Sequence, residues 1–159
     1  MANIKEAFGT IGQTITITTD SLAASVTVGR ASTVIDNSSN LYLDALLSGV
    51  LVTSSSALAN SKSAYIFAYA QLDSTPHYTD GVSGSDAGFT RTDPPNLPFV
   101  AQVNLPATNT TYRFGPYSIA VAFGGVLPDH WGIVVFNDTG QNFNTGTSFT
   151  YQGVYATSA

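Results

Sequence analysis

The sequence contains no cysteine, which removes disulfides, thiolate metal sites and cysteine nucleophiles from its chemistry. Charge is also scarce: Asp, Glu, Lys and Arg make up 9% of the 159 residues, against about 25% in an ordinary domain. The five basic residues, Lys5, Arg30, Lys62, Arg91 and Arg113, are scattered, and ten acidic residues outweigh them to a net charge of −5. Nucleic-acid binding requires clustered cations that displace counterions from phosphates, so this distribution argues against it. No apolar window reaches the length of a membrane span, and Lys5 and Glu6 stand where a signal peptide would place its apolar stretch. The expectation is synthesis in the cytoplasm with no membrane partner.

What the chain does have is apolar content of 43%, with 11% aromatic residues, so it belongs to the class that folds around a core. At this length one domain suffices, and folding buries roughly two-thirds of the unfolded chain's surface. Ser, Thr and Asn together supply roughly 30% of the residues and take the place of charges on the solvated face. Hydroxyls and amides lose less than charges do on leaving water when they find partners, so such a face suits packing against neighbours or sugars.

Strand patterns dominate. In residues 13–19, Ile15 and Ile17 alternate with Thr14, Thr16 and Thr18, and residues 25–28 repeat the period with Val26 and Val28. Residues 64–72 set Tyr65, Phe67 and Tyr69 against Ile66, Ala68, Ala70 and Leu72, so both faces are apolar and the strand is expected to be central. Residues 99–105, 117–123, 131–137 and 149–156 read as further strands. Residues 41–53 also fit a helix, since Leu43, Leu46, Leu47 and Val50 share a helical face, but Gly49 and the β-branched ending favour a strand. About eight antiparallel strands without alternating helices imply an all-β, single-domain, jelly-roll-like sandwich over residues 13–159. Residues 1–12 form either an arm or a short helix.

Two connections stand out, residues 53–63 and the much longer 73–98; long connections of this kind carry function or a packing contact. In the second, Asp73, His77, Asp80, Asp86, Asp93, Pro94 and Pro95 are the candidate subunit-contact residues, its proline-rich end being stiff. Its aspartates, with Gly81, Gly84 and Gly88, have the oxygen chemistry for calcium, but their spacing matches no calcium loop and aspartate commonly starts turns. No metal or cofactor is expected. His77 and His130 are too few for a three-histidine zinc site, and no GxSxG elbow accompanies them, so no enzymatic role is expected. Tyr65, Tyr69, Tyr151 and Tyr155 form the best rows for a sugar-stacking platform; the competing reading puts them in the core or at a subunit interface. Trp131 is expected in the core.

Residues 122–140 (AFGGVLPDHWGIVVFNDTG), residues 36–47 (DNSSNLYLDALL), the opening GQTITIT and the closing QGVYATSA resemble small virion proteins encoded beside the structural genes of tailed bacteriophages. That resemblance implies a capsid decoration or cement protein, or a neck or tail component, assembled in the host cytoplasm and located in the virion. It implies symmetric copies of the chain as a homo-oligomer, with the major capsid protein or other virion proteins as partners. The alternative is a carbohydrate-binding β-sandwich used in host recognition.

Overall fold

The computed structural model describes residues 3–93 and 95–158, which fold into two antiparallel sheets packed face to face. Along the chain the strands are β1 (Ile4–Phe8), β2 (Gln13–Thr14), β3 (Ser25–Ala31), β4 (Ile35–Asp36), β5 (Asp44–Val52), β6 (Ser63–Ala70), β7 (Ala87–Thr90), β8 (Phe99–Asn104), β9 (Thr111–Ser118), β10 (His130–Asp138) and β11 (Ser148–Ser158). The first sheet has the order β1-β11-β5-β9, with β2 also on β11, and the second has the order β7-β3-β10-β6-β8, with β4 also on β10. With β1 and β2 taken as one interrupted strand, eight principal strands remain. Of these, β6 and β8 are the one consecutive pair that shares a sheet; every other step crosses between sheets. This is the jelly-roll arrangement, with β4 and β7 as additions at the margins of the second sheet.

The core lies between the sheets. Alternate residues of each strand point into it: Ala45, Leu47 and Leu51 of β5, Ile66 and Ala68 of β6, Trp131, Ile133 and Val135 of β10, and Phe149 and Tyr151 of β11. Trp131 meets Tyr151 edge to face across the gap, ring centres 5.4 Å apart. Strand β10 is buried from Trp131 to Asn137 without a break, so its outward residues are covered as well as its inward ones. Gly132 belongs to the outward set. The ring of its cross-strand neighbour Tyr69 lies directly over it, and a Cβ there would sit 2.4 Å from that ring.

The structure corrects two of the expected strands and adds one that was not expected. The strand expected over residues 117–123 stops after two residues: β9 ends at Ser118 and one helical turn, α1 (Ile119–Ala122), follows. Ser118 Oγ accepts from Val121 N, Asp44 Oδ1 accepts from Ala120 N, and the N–H groups of Gly124 and Gly125 close the turn on Val121 O and Ala120 O. Ile119 and Ala120 are both buried while Val121 is exposed, so the apparent period of two does not describe which side chains go inside. Strand β9 was masked in the sequence by Gly115 and Pro116, which a strand tolerates here because β9 is an edge. Residues 13–19 hold only two strand residues. Beyond them the chain crosses from one sheet to the other, Ile15 N donating to Phe149 O and Thr16 O accepting from Thr33 N. Residues 41–53 do contain the favoured strand, β5, and residues 1–12, expected as an arm or a short helix, contain strand β1, which pairs with β11 from Ile4↔Ser158 to Phe8↔Val154. Among the described residues no helix is long and apolar enough to cross a membrane.

Trp131→Ala is expected to lower unfolding stability by about 3–5 kcal/mol in urea titrations, the usual cost of removing a large buried aromatic. Gly132→Ala should cost roughly 1–3 kcal/mol, because the added methyl displaces the Tyr69 ring. A near-neutral result for either substitution would contradict this packing.

Candidate functional site

The segment 73–98 folds back over the outer face of the second sheet. Its strand β7 pairs with β3 from Val28↔Thr90 to Ala31↔Ala87. Val82, Phe89 and Leu97 are buried there against Ala31, Tyr69, Val134 and Phe136, forming a second apolar layer outside the inter-sheet core. Tyr78 stands edge-on to Tyr69 at 5.6 Å. The Tyr69 hydroxyl donates to Ser32 O at 2.8 Å, and burial pushes its pKa up to about 12.

Two of the predicted contact aspartates hold this cover in place. Asp86 accepts from Arg30 Nε at 2.6 Å and from Thr18 N at 3.0 Å, and Arg30 Nη2 donates to Asp86 O at 2.9 Å. Burial raises the Asp86 pKa, but the bonds from Arg30 and Thr18 outweigh it and hold the carboxyl at about 2. Asp80 accepts from Thr92 Oγ1 at 2.9 Å and from Asn96 Nδ2 at 3.0 Å, closing the end of the segment on itself. Asp73 pairs with His77 Nδ1 at 2.8 Å on the open surface, Asp93 is exposed and Pro95 is half-buried. Pro94 lies outside the described residues.

The remaining sequence candidates separate. His130 Nε2 lies 3.6 Å from Asp36, whose carboxyl is held below the usual range by hydrogen bonds from Ser38. Neither histidine is hydrogen-bonded to a serine among the described residues, and no three His, Asp or Glu side chains converge to hold a metal ion. The tyrosine rows do not form an exposed platform: Tyr69 and Tyr151 are buried, and Tyr65 and Tyr155 are half-buried.

Two partly apolar, hollowed surfaces stand out on the outer faces of the sheets among the described residues. The first is on the outer face of the β1-β11-β5-β9 sheet. A hollow of about 470 Å³ runs between β1 and α1, lined by Ile4, Leu43, Val121, Val154 and Ala156 with Glu6 and Asp44 among them. Ile4, Leu43 and Val121 are 80%, 59% and 74% exposed. A second hollow of about 320 Å³ continues along β5 and β11 past Leu46, Ser48, Gln152 and Thr150 to Ile11 and Pro116.

The second surface is the part of the other sheet's outer face that segment 73–98 leaves open. It is a groove of about 430 Å³ lined by Val26, Tyr65, Phe67, Arg91, Phe99 and Asp138. Strict alternation would have put Phe99 on the core side with Ala101 and Val103. Instead a bulge opposite Ile66 and Phe67 pairs Phe67 with Phe99 and turns Phe99 outward, where it is 54% exposed. Of these residues the sequence pointed only to Tyr65, as a sugar-stacking candidate: Ile4, Leu43 and Val121 read as strand or arm residues, and the bulge leaves no mark in the pattern. No protein-family model, curated protein or solved structure matches this chain.

The Asp86 anchor gives the cover a pH dependence. Because the folded pKa lies below the ordinary 3.8, the stabilisation is present above about pH 4 and is lost as pH falls through about 2. Asp86→Asn should therefore lower the melting temperature at neutral pH and flatten the acid limb, an effect of about 1 kcal/mol after solvent screening. Thermal melts of both proteins from pH 7 to pH 2 check this; parallel curves would contradict it.

Proposed function

We propose that this chain is a non-enzymatic structural protein of a tailed-bacteriophage particle, a capsid decoration or cement protein that docks through the outer face of its β1-β11-β5-β9 sheet. The observation that carries the proposal is the contrast between the two outer faces. The chain covers most of one with its own segment 73–98 and leaves the other open with Ile4, Leu43 and Val121 in water. A contiguous apolar surface of this kind marks a protein contact more often than free surface. Lys5, Glu6 and Asp44 sit among the aliphatic residues of the first hollow, while the second is lined by hydroxyl, amide and apolar groups alone, so the charge to be desolvated or matched on docking is confined to one end of the face.

The virion setting rests on the sequence resemblance in residues 36–47 and 122–140. Those two passages lie together: β4 pairs with β10 at His130 and Trp131, Asn37 N donates to Asp129 O, and Asp44 caps α1. The jelly roll builds viral capsid domains as well as lectins, an analogy at the level of fold. The partners are the major capsid protein or other virion proteins, together with further copies of this chain in a homo-oligomer. A cement protein acts by mass action: it binds the assembled lattice better than separated subunits, and each bound copy shifts the balance toward the closed shell. A neck or tail position would use the same surface against a different ring of subunits.

The double substitution Leu43→Asp and Val121→Asp changes two exposed side chains, so the domain should fold as before. Wild-type protein is expected to co-sediment with capsids of the phage that encodes it, and the double variant to lose at least about tenfold in affinity, because docking would bury unpaired carboxylates. Undiminished binding by the variant would overturn the assignment of this face.

A further inference from the structure

The geometry points to a second binding site on the opposite side of the domain: the groove lined by Val26, Tyr65, Phe67, Arg91, Phe99 and Asp138 binds a neutral oligosaccharide. The inference is independent of the docking face proposed above and uses none of its residues.

The groove offers the three things a pyranose ring requires. The first is an apolar platform. Phe67 packs edge-on against both Phe99, at 5.5 Å, and Phe136, at 5.6 Å, so Phe67 and its exposed neighbour Phe99 are braced from beneath and present ring surface to the aliphatic C–H face of a sugar. The second is a fixed acceptor. Ser61 Oγ donates to Asp138 Oδ2 and accepts from the Tyr65 hydroxyl, which orients the carboxylate; Asp138 Oδ1 has no protein partner among the described residues. The third is a fixed donor. The Arg91 guanidinium is half-buried on the groove wall, 5.8 Å over the Phe136 ring, and carries N–H donors that a hydroxyl can accept from.

The balance of charge selects the class of ligand. One guanidinium and one carboxylate line the same groove, so an anionic or cationic ligand gains attraction from one and repulsion from the other, while a polyol uses both. The size fits as well. About 430 Å³ lies in the range of small-ligand clefts, whereas a stable protein interface takes roughly 20–30 residues a side and this groove has six. The chain's own cover also stops short: segment 73–98 seals Tyr69, Val134 and Phe136 but leaves Phe99 in water.

The test is a titration of isotope-labelled protein with maltohexaose, cellohexaose and chitohexaose in turn, followed by two-dimensional amide NMR. At least one sugar should give saturable shifts centred on Val26, Tyr65, Phe99 and Asp138. Phe99→Ala, a change at an exposed position, should weaken that binding about tenfold while leaving the remaining spectrum in place. Asp138→Asn should weaken it without disturbing the aromatic platform. The inference is overturned if none of the three sugars gives saturable shifts at these residues, or if binding survives both substitutions. It is equally overturned if the same amides shift on diluting the protein alone, which would assign the groove to a second copy of the chain.

Discussion

Strand β10 must be kept dry on both faces, and much of the rest of the structure follows from that constraint. Its inward residues, Trp131, Ile133 and Val135, meet the opposite sheet as in any sandwich. Its outward residues, Val134 and Phe136, together with Tyr69 lying over Gly132, are equally apolar and need a cover of their own. The 73–98 segment supplies the cover. That is why it is so long, why it contributes an edge strand, and why Asp80 and Asp86 bind residues of this chain instead of facing solvent. The result is an asymmetric sandwich with one outer face largely closed by its own chain and the other open.

The scarcity of charge has a structural counterpart inside the domain. Among the described residues Arg30–Asp86 is the one close pair between a guanidinium and a carboxylate. Amides and hydroxyls do the bracing elsewhere. Buried Asn137 donates to Leu22 O and Gln141 O and accepts from Thr139, locking the turn after β10. Asn37 spans Tyr42 N and Tyr42 O, which sets the Tyr42 ring over Gly153 on β11. Ser32 Oγ accepts from Ile133 N. Neutral groups of this kind can be buried once paired, so a chain with few ions still closes its loops tightly.

Much of the architecture was legible because period and chemistry agreed. Residues 64–72 read as a strand with two apolar faces, and β6 is indeed covered on both; Gly49 argued for a strand in 41–53, and the Phe114 ring now occupies the space a side chain would need there. What escaped was set by tertiary contacts. The pattern in 117–123 alternates perfectly, yet a capping serine and an aspartate from β5 bend it into a helical turn. The outward turn of Phe99 comes from a bulge whose cause lies in the register of β6 against β8. Most telling is the 73–98 loop: its aspartates looked available for a partner, while the apolar residues between them, Val82, Phe89 and Leu97, were the ones that decided where it goes.

The central claim is that the uncovered β1-β11-β5-β9 face is turned toward other virion proteins. Electron cryomicroscopy of particles from the source that encodes this chain tests it most directly. The account predicts jelly-roll density at symmetry-related positions, with Ile4, Leu43 and Val121 seated against the shell and segment 73–98 facing away from it. Particles that contain the chain in the opposite orientation, or that lack it at every position, would contradict the account.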